Sequence, residues 1–162
     1  MDEGKQAKTS TEFIDDMKVL LRRKAYKNAL AMLEDGLRLY PADPFLLSYY
    51  GTLVAVIRKD HERGIRLCTH ALKRLRETIP FGLEFFYPLL YLNLGRAYLA
   101  AGWKKEALES FRKGLHYDAK DPDLNTELRR LGKRKAAPIP VLGRSNPINK
   151  YIGMILHKIK GG

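Results

Sequence analysis

The stretch "PLLYLNLGRAYLAAGWKKEALESFRKGLHYDAKDP" (88–122) carries the pattern that decides the fold. Two apolar runs with helical spacing flank a short break around Gly102. Gly95 in the first run and Ala107 in the second are small enough to let two helices approach closely, and Phe111 would fill the space beside them. The stretch therefore predicts a pair of closely packed helices joined by a tight turn.

The same pattern occurs twice more, in "FIDDMKVLLRRKAYKNALAMLEDGLRLYPADP" (13–44) and "PFLLSYYGTLVAVIRKDHERGIRLCTHALKRL" (44–75). The small residues that correspond to Ala107 are Ala29 and Gly64, with intervals of 35 and then 43 residues along the chain. One helix pair cannot bury its apolar face alone, so neighbouring pairs would stack and share a continuous core. The sequence therefore predicts an all-α array of three helix pairs.

These repeated residues resemble those of the tetratricopeptide repeat (TPR) family over roughly residues 11–131. The chain departs from the family pattern at Met17, where Gly is usual, and at Ala119, where a helix-ending Pro is usual. The resemblance implies a right-handed helix-pair solenoid of TPR type. In such a solenoid the first helices of the pairs line a concave face that binds an extended or helical peptide.

A capping helix and a C-terminal extension are predicted after the third pair. The stretch "DPDLNTELRRLGKRK" (121–135) has Asp121 as an N-cap, Pro122 in the first turn and leucines at helical spacing. We expect four regions: a flexible N-terminus at 1–10, three TPR-like pairs plus the capping helix at 11–132, an extended Pro-containing connector at 133–146, and a basic amphipathic helix at 147–160.

Mapping the resemblance onto this sequence gives candidate residues for the concave face. They are Ile14 and Lys18; Phe45, Ser48, Tyr49 and Thr52; and Leu89, Leu92, Asn93, Arg96 and Ala100. Some TPR proteins grip a C-terminal carboxylate with a Lys/Asn/Arg clamp, and Lys18, Asn93 and Arg96 match part of it. Tyr49 and Thr52 replace the other clamp groups. A mixed apolar groove with two basic side chains favours an apolar helix or strand that carries some negative charge.

The C-terminal part of the chain is strongly basic. Of the net charge of +12, residues 129–162 contribute +9, with nine Lys and Arg and no acid. The predicted terminal helix has one apolar face, formed by Ile148, Tyr151, Ile152, Ile155, Leu156 and Ile159. This face could pack on the protein's own body, on a partner or second copy, or on an anionic membrane surface. Nucleic acid is a less favoured partner, and a solvated basic end is a further alternative.

The segment "ETIPFGLEFFYP" (77–88) has four aromatic residues where the repeat needs only a short turn. Two interpretations are open. The flanking helices could be lengthened, with the aromatic side chains packed between them, or the segment could form an apolar lip of a binding surface.

No set of residues in the sequence indicates catalysis. The four histidines lack the paired spacing of metal ligands, there is no Gly-rich phosphate loop, and Cys68 occupies a core-facing helix position. We therefore expect no enzyme and no cofactor, but a cytoplasmic adaptor that binds a protein or peptide. The alternative is a peripheral binder of anionic membranes or nucleic acid that acts through the basic tail.

Overall fold

The computed structural model describes residues 8–132, and this part of the chain is all-helical. It contains seven α-helices and one short 3-10 turn at Leu83–Phe85. The helices are α1 (Ser10–Arg22), α2 (Tyr26–Leu39), α3 (Pro44–Ile57), α4 (His61–Thr78), α5 (Tyr87–Ala100), α6 (Lys104–Tyr117) and α7 (Pro122–Gly132). The predicted all-α array of three helix pairs with a capping helix is confirmed.

Side-chain caps explain where several helices begin. Thr9 and Glu12 form a reciprocal capping box at the start of α1. The Asp43 carboxylate accepts hydrogen bonds from the backbone N–H groups of Phe45 and Leu46 at 2.9 Å each. Asp121, the predicted N-cap of α7, accepts from the Leu124 N–H at 2.8 Å. These caps satisfy N–H groups that have no partner inside the helix.

Each pair has a tight turn that contains one residue in the left-handed region. These residues are Lys24 (φ 58°), Lys59 (φ 60°) and Gly102 (φ 80°). They occupy corresponding positions, because each lies two residues after the end of the first helix of its pair. The chain therefore reverses in the same way three times, although only the third turn has the residue that adopts this conformation without strain.

Glycine brings the two helices of the second and third pairs together. A Cβ atom added at Gly51 would lie 2.7 Å from the Gly64 carbonyl oxygen. A Cβ atom added at Gly95 would collide with the ring of Phe111, which is fully buried. The close approaches predicted from the spacing of small residues are confirmed at both pairs.

The core forms two apolar clusters that meet at α3. The first cluster joins α1, α2 and α3 around Met17, Leu33 and Val54, and the second extends from α3 across α4 and α5. Leu124 of α7 is fully buried and contacts α6 at Gly114, where an added Cβ atom would lie 2.6 Å from the leucine side chain. The capping helix thus covers apolar surface that the last pair would otherwise expose.

The segment between the second and third pairs combines features of both interpretations. Helix α4 has 18 residues, four more than any of α2, α3, α5 and α6, so one flanking helix is indeed longer. Phe86 packs edge-on against Phe45 at a ring-centre distance of 5.1 Å, and Tyr87 is buried. Phe81 and Phe85 remain exposed to solvent.

The chain divides into one unit over Met1–Arg130 and a second over Leu131–Gly162, of which only Leu131 and Gly132 are among the described residues. The predicted N-terminal segment at 1–10 lies outside the described residues up to position 7, and α1 begins at Ser10. The predicted connector at 133–146 and terminal helix at 147–160 lie outside them entirely. Across residues 8–132, no helix combines the length and the apolar character that a bilayer crossing would require.

Candidate functional site

The first helices of the three pairs lie side by side, and two of the predicted site residues contact each other on the face that they form. The Lys18 ammonium of α1 lies 5.9 Å from the centre of the Tyr49 ring of α3. The same ammonium is 3.3 Å from the Asp15 carboxylate, one turn earlier on α1. Tyr49 is half-buried, so part of its ring is available for contact.

Arg96 on α5 is held by the capping helix. Its Nε donates a hydrogen bond of 2.9 Å to the Glu127 carboxylate on α7. Glu127 is buried, and its second oxygen lies 3.7 Å from the Arg130 guanidinium. Removal of Arg96 would therefore leave a buried carboxylate with only a long contact to an exposed arginine, which is costly.

Burial and several nearby charges act on the pKa of the Tyr49 hydroxyl. Burial raises that pKa above its ordinary value, the Arg96 charge lowers it, and the Asp123 and Asp15 charges raise it. Charges from α1, α5 and α7 thus act on one hydroxyl of α3. We call the surface formed by Asp15, Lys18, Tyr49, Arg96 and Asp123 the first-helix face.

Besides Ile14, four of the predicted binding residues are buried between helices. They are Ser48, Thr52, Leu92 and Asn93. The Asn93 amide donates to the Ser48 hydroxyl at 3.0 Å, and the Thr52 hydroxyl lies 3.2 Å from the Asn93 carbonyl oxygen, which it can donate to. Asn93 and Ser48 thus pair through their side chains, and Thr52 pairs with a backbone carbonyl group, where α3 packs against α5. These hydrogen bonds serve the packing of the array.

The remaining predicted residues are distributed around this face. Ile14 is buried in the first core cluster, whereas Leu89 and Ala100 are half-buried beside the second. Phe45 is half-buried and lies one helical turn before Tyr49, against Phe86. The structure therefore brings Lys18 and Tyr49 into contact, with the Arg96 charge acting on Tyr49, and leaves the others mainly in packing positions.

Three acidic residues of this site were not predicted: Asp15, Asp123 and Glu127. A signal for Glu127 was present, because it lies three residues after Leu124 and four before Leu131, on the face of α7 that was expected to turn inward. A carboxylate at an inward position needs a cation, and Arg96 is that cation.

Cys68 has the environment of a structural thiol. It is fully buried, and its burial raises its pKa to about 12, with a smaller opposing effect of the Thr52 hydroxyl. At neutral pH almost none of it is the reactive thiolate. Within the part of the chain that the structure describes, no three His, Cys, Asp or Glu side chains are grouped closely enough to hold a metal ion.

No protein-family model matches the sequence, and no curated protein matches it. Several solved structures match the fold. The first TPR of Spaghetti (RPAP3), bound to the HSP90 peptide SRMEEVD, is 17% identical with a TM-score of 0.58, over 78% of this chain and 92% of that one. The Sgt2 TPR domain from Aspergillus fumigatus is 17% identical with a TM-score of 0.57, over 84% of this chain and 91% of that one.

A third similar structure is the second TPR domain of human RPAP3 in complex with the HSP70 peptide SGPTIEEVD. It is 20% identical with a TM-score of 0.56, over 77% of this chain and 96% of that one. Identities this low establish the fold and nothing finer. The chain therefore has the TPR fold that the resemblance implied.

Proposed function

We propose that this protein is a non-catalytic interaction module, acting in the cytoplasm, that binds a peptide or helix of another protein on the first-helix face. The observation that carries the proposal is the approach of the Lys18 ammonium of α1 to within 5.9 Å of the Tyr49 ring of α3, with the Arg96 charge of α5 near enough to lower the pKa of the Tyr49 hydroxyl. Two of the similar structures hold peptides. The supporting argument is that a partly exposed aromatic ring between charged groups suits a peptide with apolar and polar side chains.

The charges on this face distinguish its ligand from the peptides of the similar structures. Both of those peptides end in Glu-Glu-Val-Asp and are acidic. Here the cations already have partners, because Arg96 holds the buried Glu127 and Lys18 pairs with Asp15. Only the exposed Lys18–Asp15 pair is weak, and breaking it should cost about 1 kcal/mol or less. We therefore expect an apolar peptide in which a single carboxylate contacts Lys18.

The second candidate function rests on the charge of +9 over residues 129–162. Most of these residues lie outside the described part of the chain, so the support is compositional. A tail of this kind would bind an anionic membrane surface or a nucleic acid mainly by electrostatic attraction. Such binding falls steeply with salt, whereas binding to an apolar face does not.

The test uses the full chain and defined peptides. A phage-displayed library of random peptides is selected against the protein, and the best sequence is synthesised with a fluorescent label. We expect anisotropy titrations to give a micromolar Kd, and Tyr49→Ala to weaken binding at least about tenfold, which corresponds to about 1.4 kcal/mol. Tyr26→Ala is the matched control, since Tyr26 is 43% exposed on α2, outside this face; it should leave the Kd unchanged.

Three results would count against this reading. Equal losses in the Tyr49 and Tyr26 variants would place binding elsewhere. A Kd that rises by an order of magnitude between about 0.15 M and 0.5 M salt would favour the tail-driven alternative. If SRMEEVD bound more tightly than the selected peptide, the protein would still be a peptide binder, but the proposal that its ligand is apolar would be wrong.

A further inference from the structure

The positive charge of the helical array is concentrated on two of its second helices, α4 and α6. Helix α4 has five Lys and Arg residues against two Glu, and α6 has four against two. The first helices α1, α3 and α5 are balanced, with three basic and three acidic residues in total. An anionic partner is therefore attracted to the side of the array that carries α4 and α6 rather than to the first-helix face.

Many of these cations also lack an acidic partner. On the first-helix face, Lys18 and Arg96 each hold a carboxylate. On α4 and α6, five of the nine Lys and Arg side chains pair with no carboxylate of residues 8–132, and all five are exposed. They are Arg63, Arg76, Lys104, Lys105 and Arg112. Their charge is thus available to an anion from outside the array.

Three tyrosine rings connect the end of α4 with the end of α6. The Tyr87 ring at the start of α5 lies 4.6 Å from the Tyr117 ring of α6 and 5.8 Å from the Tyr91 ring, measured between ring centres. On the α4 side, the Nε of Arg76 donates a hydrogen bond of 3.3 Å to the Tyr87 hydroxyl. We call Arg76, Tyr87, Tyr91 and Tyr117 the tyrosine cluster.

One ring of the tyrosine cluster is open to solvent. Tyr117 is 42% exposed, whereas Tyr91 is half-buried and Tyr87 is buried beneath them. His116 lies edge-on against Tyr117 at a ring-centre distance of 5.3 Å, and the exposed Arg112 lies one turn before His116 on α6. An exposed aromatic ring therefore occurs between unpaired cations on two neighbouring second helices.

Two carboxylates lie close to the cluster in the sequence, and both have other partners. Glu77, which follows Arg76, pairs with Lys73 and Arg74. Asp118, which follows Tyr117, accepts a hydrogen bond of 3.0 Å from the backbone N–H of Lys120. Neither carboxylate neutralises Arg76, so the surroundings of the exposed ring remain basic.

We propose that the tyrosine cluster and the adjacent cations bind a single strand of nucleic acid, with a base stacked on Tyr117 and backbone phosphates at Arg76 and Arg112. Exposed aromatic rings stack on bases of any sequence, and a basic surface beside them follows the phosphates. An acidic peptide would use the cations but not the ring. The site shares no residue with the first-helix face or with residues 133–162, so it is independent of both candidate functions above.

The first test concerns the ring. A fluorescein-labelled oligouridylate of about 12 nucleotides is titrated with the full chain, and anisotropy gives the Kd. Tyr117→Leu keeps an apolar side chain but removes the ring, and it should raise the Kd at least about fivefold. Tyr117→Phe retains the ring and should keep the Kd within about twofold. Tyr26→Leu is the matched control, because Tyr26 is 43% exposed on α2, and it should leave the Kd unchanged.

The second test concerns the charge. Arg76→Gln removes the cation, while the glutamine amide can still donate to the Tyr87 hydroxyl. We expect a Kd at least threefold higher. The slope of log Kd against log salt concentration should fall by about 0.7, which corresponds to one phosphate contact with a single strand. Arg23→Gln removes the same charge from an exposed position at the end of α1 and should change neither quantity.

Four results would overturn the proposal. The first is no binding of the oligouridylate, and the second is a Kd unchanged in both Tyr117→Leu and Arg76→Gln, which would assign the binding to the basic residues 133–162. The third is equally tight binding of an RNA duplex of the same length, whose bases are not free to stack on a side chain. The fourth is displacement of the oligouridylate by polyglutamate of equal charge at equal concentration, which would indicate an acidic protein as partner. Thermal unfolding verifies the fold of each variant, and Arg76→Gln decides if Tyr117→Leu does not fold.

Discussion

In the second and third helix pairs, the two helices approach closely at a glycine, but the atoms that face the glycine differ. In both, a glycine on the first helix lets the second helix approach. In the second pair Gly51 faces the backbone of α4, since an added Cβ atom would lie 2.7 Å from the Gly64 carbonyl oxygen and 2.9 Å from the Cys68 nitrogen. In the third pair Gly95 faces the side chain of Phe111. One contact is therefore backbone against backbone, and the other is backbone against an aromatic ring.

This difference decides how each pair responds to an added methyl group. A backbone inside a helix cannot move alone, because its hydrogen bonds tie it to the rest of the helix. A ring can be replaced by a smaller group. A larger residue at Gly51 should therefore destabilise the second pair whichever side chains surround it. In the third pair, a smaller side chain at Phe111 should make room for a larger residue at Gly95.

The largest effect is expected for Gly51→Ala. Alanine is favoured over glycine in a helix interior by about 1 kcal/mol, so an unobstructed site would gain stability. Here overpacking should exceed that gain and lower the free energy of unfolding by about 3 kcal/mol. Urea unfolding followed by circular dichroism measures it. Cys68→Ala should give no rescue, since the Gly64 carbonyl oxygen remains in place.

Gly36→Ala is the matched control for this prediction. Gly36 also lies in a helix against a neighbour, but an added Cβ atom there would meet only side chains, at 3.1 Å from Phe13 and 3.2 Å from Leu46. We expect a change within about 1 kcal/mol of zero. If Gly51→Ala were equally mild, the backbone contact would not be the constraint that separates the second pair from the others.

A smaller effect is expected for Gly95→Ala, about 2 kcal/mol, because the added Cβ atom meets only the end of the Phe111 side chain, which can shift, whereas the backbone facing Gly51 cannot. Phe111→Leu alone should also destabilise, since it removes part of a fully buried side chain. The double variant should be more stable than the sum of the two losses predicts, by at least about 1 kcal/mol. The double-mutant cycle is measured by urea unfolding. Strict additivity would mean that the glycine and the ring do not constrain each other.

These glycine contacts were readable from the sequence, whereas the binding surface was readable only in part. The spacing of Gly51, Gly64 and Gly95 in repeated patterns indicates close helix approach, because every copy must bury the same face. Adjacent residues on a helix point about 100° apart. Two neighbouring candidates on the same helix can therefore differ in burial, one inside the core and one at the surface. Ser48 is buried and Tyr49 beside it is half-exposed for this reason.

The pairing of charges could not be predicted from periodicity. Arg96 and Glu127 are 31 residues apart and meet only because α7 packs against the last pair. The exposure of Phe81 and Phe85 was one of two open interpretations, since composition does not say whether an aromatic side chain in an inserted segment turns inward. Both features depend on how elements are placed in space, which a local pattern does not contain.

The turns inside the three helix pairs can be compared in the same way, and substitutions there should change stability least. Gly102 has a φ of 80°, and among the described residues nothing lies within 4 Å of an added Cβ atom, so only backbone conformation opposes Gly102→Ala. We expect a loss of about 1 kcal/mol.

At the corresponding position of the second pair, Lys59 has a φ of 60°. Lys59→Gly should relieve the left-handed strain, but glycine also gives the unfolded chain more freedom, so the net gain should be about 0.5 kcal/mol. The expected rise in Tm is about 1–2 °C by calorimetry, and Lys24→Gly should behave alike. A lower Tm in both lysine variants would mean that lysine contacts, rather than the turn conformation, determine the stability at these positions.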